Sequence, residues 1–264
     1  MPGIRRLADV TPSDGTAGPG APGPHQPLHA GPPHPQAMAP ATGWGVLHLF
    51  CRATASLAPE ALADALAVTE KAGNHVVAAS ILGHKADVCL MVLGPDLWTL
   101  RDFQNAVTAA GLEPVASYVS LTEVSEYAAG VPEEMKQARL FPRLPPDSMR
   151  AFCFYPMSKR RSADHNWYAL GYEERKDLMT GHGKVGRTFS GRVLQVVTGS
   201  TGLDDWEWGV TLFGVHPDDL KECVYQMRFD EASARFAEFG PFYTGMVGDL
   251  DEVLGGLGGQ RGRQ

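Results

Sequence analysis

From Trp44 to about Leu250 the chain runs twice through one order of elements, and this duplication limits the fold more than any other feature of the sequence. WGVLHLFCR reads as a strand, and PEALADALAVTEKAG as a helix opened by proline and stopped at Gly73. HVVAASILG and DVCLMVLG are two strands joined by a short turn. PDLWTLRDFQNAVTAAG is a second helix with proline at its start and glycine at its end, and EPVASYVSLTEVS is a further strand. After a connector (126–147) the same order returns. AFCFYPM is a strand, YEERKDLMTGHGKVGRTF is largely helical, and RVLQVVTGS and WEWGVTLF form a hairpin pair. HPDDLKECVYQMRFDEASARFAEFG is a helical stretch with a break, and FYTGMVGDL is the last strand. Two strand-helix-strand-strand-helix-strand units predict an α+β fold of two tandem ferredoxin-like modules, at 42–125 and 148–252. Helices cover one face of each sheet, and packing the two sheets on each other would cover the other.

The flanks differ in composition. Ten of the 20 prolines fall in the first 40 residues, too little apolar surface to offset the entropy of ordering, so 1–41 is expected to be a disordered tail. His25, His29 and His34 within it are irregularly spaced and are assigned no chemistry. The glycine-rich end, 253–264, is expected to be flexible. A net charge of -7 speaks against wholesale nucleic-acid binding, while leaving room for a local basic pocket. No apolar run approaches the roughly 20 residues of a membrane span, and the N-terminus lacks the apolar stretch of an export signal. Cys51, Cys89, Cys153 and Cys223 lie singly in apolar segments, which suits buried, reduced thiols of a cytoplasmic protein.

Chemistry concentrates between Ala151 and Phe213. On an extended strand Cys153, Tyr155 and Met157 share one side, continued by Lys159 if the strand persists. A tyrosine beside Lys159, Arg160 and Arg161 suits an anionic ligand, and a solvated cluster at a strand end is the alternative. Pro156 suggests a sheet edge or a strand terminus. In the next helix Leu178, His182, Val185 and Phe189 form one apolar stripe. A histidine there can be a satisfied core residue. Gly181 and Gly183 each cost about 1 kcal/mol relative to alanine, however, and baring the backbone on both sides lets a large flat group such as a haem approach. Glu173, Glu174 and Asp177 lie toward the helix start, where the macrodipole favours them. Gln195 alternates with Val193 and Val197 on one strand face and needs a hydrogen-bond partner, from a ligand or from the protein. Arg228 and Ser233 are candidate carboxylate partners, or surface residues. Nothing resembles a phosphate-binding loop, a serine-nucleophile elbow or a zinc signature.

YPMSKRR, NWY, EER, LM-x-x-HG-x-x-GR, TGS-x-GLDD-x-EWGVTLF and MRFDEASAR-x-x-EFG-x-F closely resemble the coproheme decarboxylases of the chlorite-dismutase-like superfamily. The resemblance covers about residues 42 to 250. It implies a dimeric α+β barrel, made of two ferredoxin-like modules in one chain and assembled as a homopentamer. It also implies coproheme (Fe-coproporphyrin III) bound in the second module with His182 as axial iron ligand. Tyr155 matches a radical-forming residue, and Lys159 a lysine near the reacting propionate. Met157 lies beside the pocket, Gln195 is the distal residue, and Arg228 and Ser233 hold propionates. Two propionates become vinyl groups with hydrogen peroxide as oxidant, haem b is the product, and a ferrochelatase is the implied source of coproheme. True chlorite dismutases resemble this chain around the histidine but carry arginine at the position of Gln195.

Overall fold

The computed structural model describes residues 36–128 and 130–257. The expected tail is therefore described only from residue 36, and its earlier part lies outside the described residues. Met38 is tied back: its carbonyl accepts from Leu97 N–H, and its own N–H donates to Asp96, both at 2.9 Å.

The first half consists of β1 (Gly45–Ala53), α1 (Pro59–Lys71), β2 (His75–Ile81), β3 (Val88–Gly94), α2 (Leu97–Ala109) and β4 (Leu112–Thr122). Proline opens α1 as expected. In α2 the cap is Asp96, whose carboxylate accepts from Trp98 N–H, so the helix starts two residues after Pro95. Gly73 and Gly111 end these helices at φ 87° and 91°, a conformation that glycine adopts without strain. The connector contains a helix the sequence reading lacked, α3 (Glu133–Leu140). The second half consists of β5 (Ala151–Lys159), α4 (Tyr172–Arg187), β6 (Val193–Gly199), β7 (Trp208–Gly214), α5 (Pro217–Met227), α6 (Glu231–Phe236), β8 (Ala237–Phe239), β9 (Tyr243–Val247) and α7 (Leu250–Leu254). The expected helical break separates α5 from α6. The end expected to be flexible begins instead with α7, opened by a capping box between Asp249 and Glu252, and Val253 and Leu254 are buried.

The fold is α+β, with one antiparallel sheet and, among the described residues, seven α-helices. The strand order is β7-β6-β4-β1-β3-β2-β9-β5-β8, and β5 also pairs with β7, so eight strands close into a ring that β8 extends at one rim. The halves meet edge to edge at two seams, and the inner faces of their sheets pack on each other inside the ring. At one seam Ile81 pairs with Gly245 and Ala79 with Val247; at the other Leu121 pairs with Gly199. Open edges carry unpaired N–H and C=O groups, and the seams pair the stretches where the edges meet. The side-chain period of two then sends Val46, Phe50, Phe154 and Tyr243 into the ring. Leu47, Leu49 and Cys51 point outward under Leu62, Leu100 and Phe103 of α1 and α2. His48 also points inward, fully buried, with Nε2 2.9 Å from Thr211 Oγ1. Burial lowers its pKa to about 3, so the imidazole is neutral there.

All four cysteines are buried and unpaired, as expected. At the β2–β9 seam a Cβ on Gly245 would stand 2.0 Å from the Ser80 carbonyl oxygen. Gly245→Ala is therefore expected to destabilise the fold by about 2 kcal/mol, the usual scale of overpacking. Chemical denaturation of the variant against wild type measures this.

Candidate functional site

Tyr155, Met157 and Lys159 project from the outer face of β5, which persists through Lys159. Pro156 lies in mid-strand rather than at an edge or terminus. Pairing with β9 ends at Phe154 and pairing with β8 begins at Met157, so the missing N–H falls where the neighbour changes. The Tyr155 ring is buried, stacked on Phe242 (centroids 4.5 Å, 24°) and edge-on to Phe239 (5.6 Å, 61°). Burial, helped by Cys153 and Cys223 and opposed by Arg228, pushes its phenol pKa well above the ordinary value, so the hydroxyl keeps its proton.

Lys159 is no part of a solvated cluster. It is 6% exposed, its ammonium donates to the Ala232 carbonyl at 3.3 Å, and it sits 4.3 Å from the centre of the Trp167 ring. Burial lowers its pKa to about 8, while Asp230 and Glu207 pull the other way. Glu207 is buried too and accepts the Lys159 backbone N–H at 2.7 Å. Arg160 and Arg161 are the members of the basic run at the surface, near Glu238 (3.5 Å) and Glu207 (3.8 Å) respectively.

Across the sheet, Tyr155 is level with Val210 and Val197, and Gln195 with Leu212 and Cys153. Strands lie about 4.8 Å apart, so Gln195 stands two strands away, roughly 10 Å across the same outer face. Its amide donates to Cys223 Sγ at 3.5 Å, and a Cβ on Gly186 would lie 3.4 Å from that amide. Val197, on the strand of Gln195 and level with Tyr155, is 45% exposed.

Above this face stands α4, a 16-residue helix that buries none of its residues. Its apolar stripe exists, but Leu178, His182 and Val185 are only half-buried, and Phe189 reaches the core just past the helix end. Its principal contacts are with α6 and α5 rather than with the sheet. Gly181 has no atom within 4 Å of where a Cβ would stand, so the backbone beside His182 is open on that side.

His182 is braced from α6. Its Nδ1 lies 3.0 Å from Asp230 Oδ2 and 3.4 Å from Ser233 Oγ, which leaves Nε2 for a ligand. Asp230 also caps α6 through the Ser233 N–H. Burial raises the pKa of this carboxyl, but hydrogen bonds and charge from His182, with the Ser233 bonds, outweigh that and hold it below its usual value. Arg228 and Ser233 have different partners: Ser233 turns to His182, whereas the Arg228 guanidinium lies 4.8 Å from the centre of the Phe239 ring that also meets Tyr155. Asp230 and Trp167 were not singled out from the sequence. An aspartate followed by Glu231-Ala232-Ser233 is a helix-cap signal that marks Asp230; nothing local marks Trp167 as the platform for Lys159.

The arrangement opposes a braced, half-exposed imidazole to a sheet face that carries a neutral phenol, an amide and a buried ammonium. A flat apolar molecule with one metal coordination site and anionic substituents fits these groups. The chlorite dismutase family model matches residues 57–248, and the chain belongs to this family. It is 40% identical over 245 residues to the coproheme decarboxylase of Staphylococcus saprophyticus, an alignment covering 83% of this chain and 97% of that protein. It is 48% identical over 191 residues to a putative heme-binding protein of Natronomonas pharaonis, of whose length the match spans 31%. Among solved structures, a heme-binding protein from Thermus thermophilus superposes with a TM-score of 0.73 at 37% identity, over 84% of this chain and all of that one.

Lys159 offers a test that needs no ligand. An unfolded lysine titrates near 10.5 and the folded one near 8, so between these values the unfolded chain holds the extra proton. The contribution of Lys159 to stability therefore rises with pH from about 8 to about 10.5. Lys159→Met is expected to lack that rise, and denaturation midpoints across the window check it.

Proposed function

We propose that this protein is a coproheme decarboxylase: it converts two propionates of Fe-coproporphyrin III to vinyl groups with hydrogen peroxide, yielding haem b. The observation that carries the reading is the helix α4, which holds a braced histidine over a polar-lined sheet face and buries nothing itself. Such a gap suits a planar tetrapyrrole. The similarity to a coproheme decarboxylase over most of both chains supports the substrate, and Gln195 supports it over chlorite, because the resemblance to chlorite dismutases calls for arginine there.

In this reading His182 binds iron through Nε2 while Asp230 holds its Nδ1–H, fixing tautomer and ring orientation. The bound iron, with peroxide, supplies the oxidising power. Each decarboxylation takes one propionate, one peroxide and one proton to one vinyl group, one carbon dioxide and two waters, so atoms and electrons balance. Tyr155 carries the oxidation to the substrate. Its buried, neutral phenol gives up a hydrogen atom and regains one from the propionate β-carbon. Lys159 holds the proton and pairs with the carboxylate. Met157 packs beside the reacting edge, Gln195 faces the peroxide side, and Arg228 and Ser233 hold the remaining carboxylates.

The wider proposal follows the same resemblance. The halves are tandem ferredoxin-like modules of a dimeric α+β barrel, with the strand orders β4-β1-β3-β2 and β6-β7-β5-β9 in support. The assembly is a homopentamer that receives coproheme by transient contact with a ferrochelatase. A cytoplasmic location agrees with the four unpaired thiols. No helix among the described residues is long and apolar enough to cross a membrane.

Mass spectrometry of the porphyrin before and after peroxide is the direct test, with loss of two carbon dioxide units and four hydrogens expected. Tyr155→Phe should bind coproheme and release none; normal turnover by that variant would refute the role of the phenol. His182→Ala should change the absorption spectrum of the bound iron, and an unchanged spectrum would remove it as the axial ligand. Added chlorite should evolve little oxygen.

A further inference from the structure

Arg175, the last residue of the EER motif, takes no part in the chemistry above. Its guanidinium makes three contacts: Nε donates to the Tyr127 phenol oxygen at 2.9 Å, Nη1 donates to the Leu170 carbonyl at 2.8 Å, and Nη2 lies 3.8 Å from Glu126 Oε1. Tyr172, in the first turn of the same helix, donates its phenol O–H to the Glu126 carbonyl at 3.3 Å, and its ring stacks on Tyr127 with centroids 5.8 Å apart. Glu126 and Tyr127 belong to the connector, outside the half that holds the site. Tyr127 also packs on the cluster of Trp167, Ala232 and Phe236, which Leu178 of α4 joins.

Arg175 lies on the stripe of His182, seven residues or about two turns earlier, roughly 10 Å along the axis. α4 buries none of its residues, and apolar packing holds it around its second turn, where the partly buried Leu178 and Met179 meet Trp167, Ala232 and Phe236. Polar contacts hold it elsewhere, at its first turn through the connector and further along through Asp230. A helix end held by part-buried polar contacts can lift without opening the buried core.

We propose that Arg175 is a positioning residue: with Tyr127 and Glu126 it clasps the first turn of α4 to the connector, and this clasp sets the gap through which a planar tetrapyrrole passes to and from His182. The inference rests on the tetrapyrrole reading given above. Releasing the clasp frees the helix start, so the ligand leaves faster and His182 samples more positions. A lysine at 175 keeps the charge but lacks the fork that meets three partners at once.

The test uses the full chain with ferric coproheme as probe. Dissociation into an excess of a competing haem acceptor is followed by absorption, and hydrogen exchange of the ligand-free protein is read over α4 and, as a control, over α2. Arg175→Ala is expected to release coproheme about tenfold faster or more, the effect falling on the off-rate. Exchange in α4 should quicken while that in α2 stays as in wild type. Tyr127→Phe, which keeps the stack and loses the phenol oxygen, should shift both readouts the same way by less. Wild-type dissociation and wild-type α4 exchange in Arg175→Ala would overturn the proposal. If Arg175→Ala quickens exchange in α2 as well, Tyr127→Phe decides by the same two readouts, and a general loosening there too would overturn the clasp in favour of a merely structural role. Failure of the wild-type protein to take up coproheme would sink the tetrapyrrole reading itself, a result distinct from unchanged release by the variant.

Discussion

If the two halves folded apart, β2, β4, β6 and β9 would each present a row of unpaired backbone N–H and C=O groups, and the ring brings all four edges into pairs where they meet. The seams are short, three residue pairs at one and two at the other, so their hydrogen bonds alone are a small part of what holds the halves together. Closure also creates an interior. Phe50, Phe154, Tyr118, Tyr243 and Phe213 from both halves fill it, and each large side chain buried there contributes about 1.5–3 kcal/mol. The interior thereby ties together strands that are far apart in sequence, and it leaves the outer faces to helices, with α7 from the end of the chain joining α1 and α2 on the first half.

The two halves use that outer face differently. In the first, α1 and α2 bury Leu62, Leu100, Phe103 and Val107 against the sheet. In the second, α5 buries Leu220 and Cys223, but α4 buries nothing and rests on α5 and α6. A stripe of apolar residues that remains half-exposed is a departure from ordinary amphipathic packing. The departure lies where the braced histidine and the open Gly181 are found, so the missing packing and the chemistry coincide.

Burial also sets protonation in the second half. It keeps the Tyr155 phenol neutral, and it makes the Lys159 ammonium readier to lose a proton than a solvated one. The lysine remains where it is because a carbonyl, an aromatic face and the charges of Asp230 and Glu207 compensate part of the desolvation. Asp230 serves three ends: it caps α6, braces His182 and faces Lys159.

By itself the sequence determined most of the elements and their order, because periodicity, proline starts and glycine stops are local signals, while α3 and α7 were not legible in it. It also marked Tyr155, His182 and Gln195, each an odd residue in an otherwise apolar pattern. It could not decide how far His182 is buried, since the stripe Leu178–His182–Val185–Phe189 reads alike whether a sheet or open space lies beneath. Nor could it show that the halves join by their edges, that Pro156 falls at a change of neighbour, or that Asp230 and Trp167 serve residues some tens of positions or fewer away in the chain. Those depend on which strands and helices become neighbours. Tertiary structure decided them because closing the ring fixes where every outward-facing side chain meets a helix, and no local pattern carries that information.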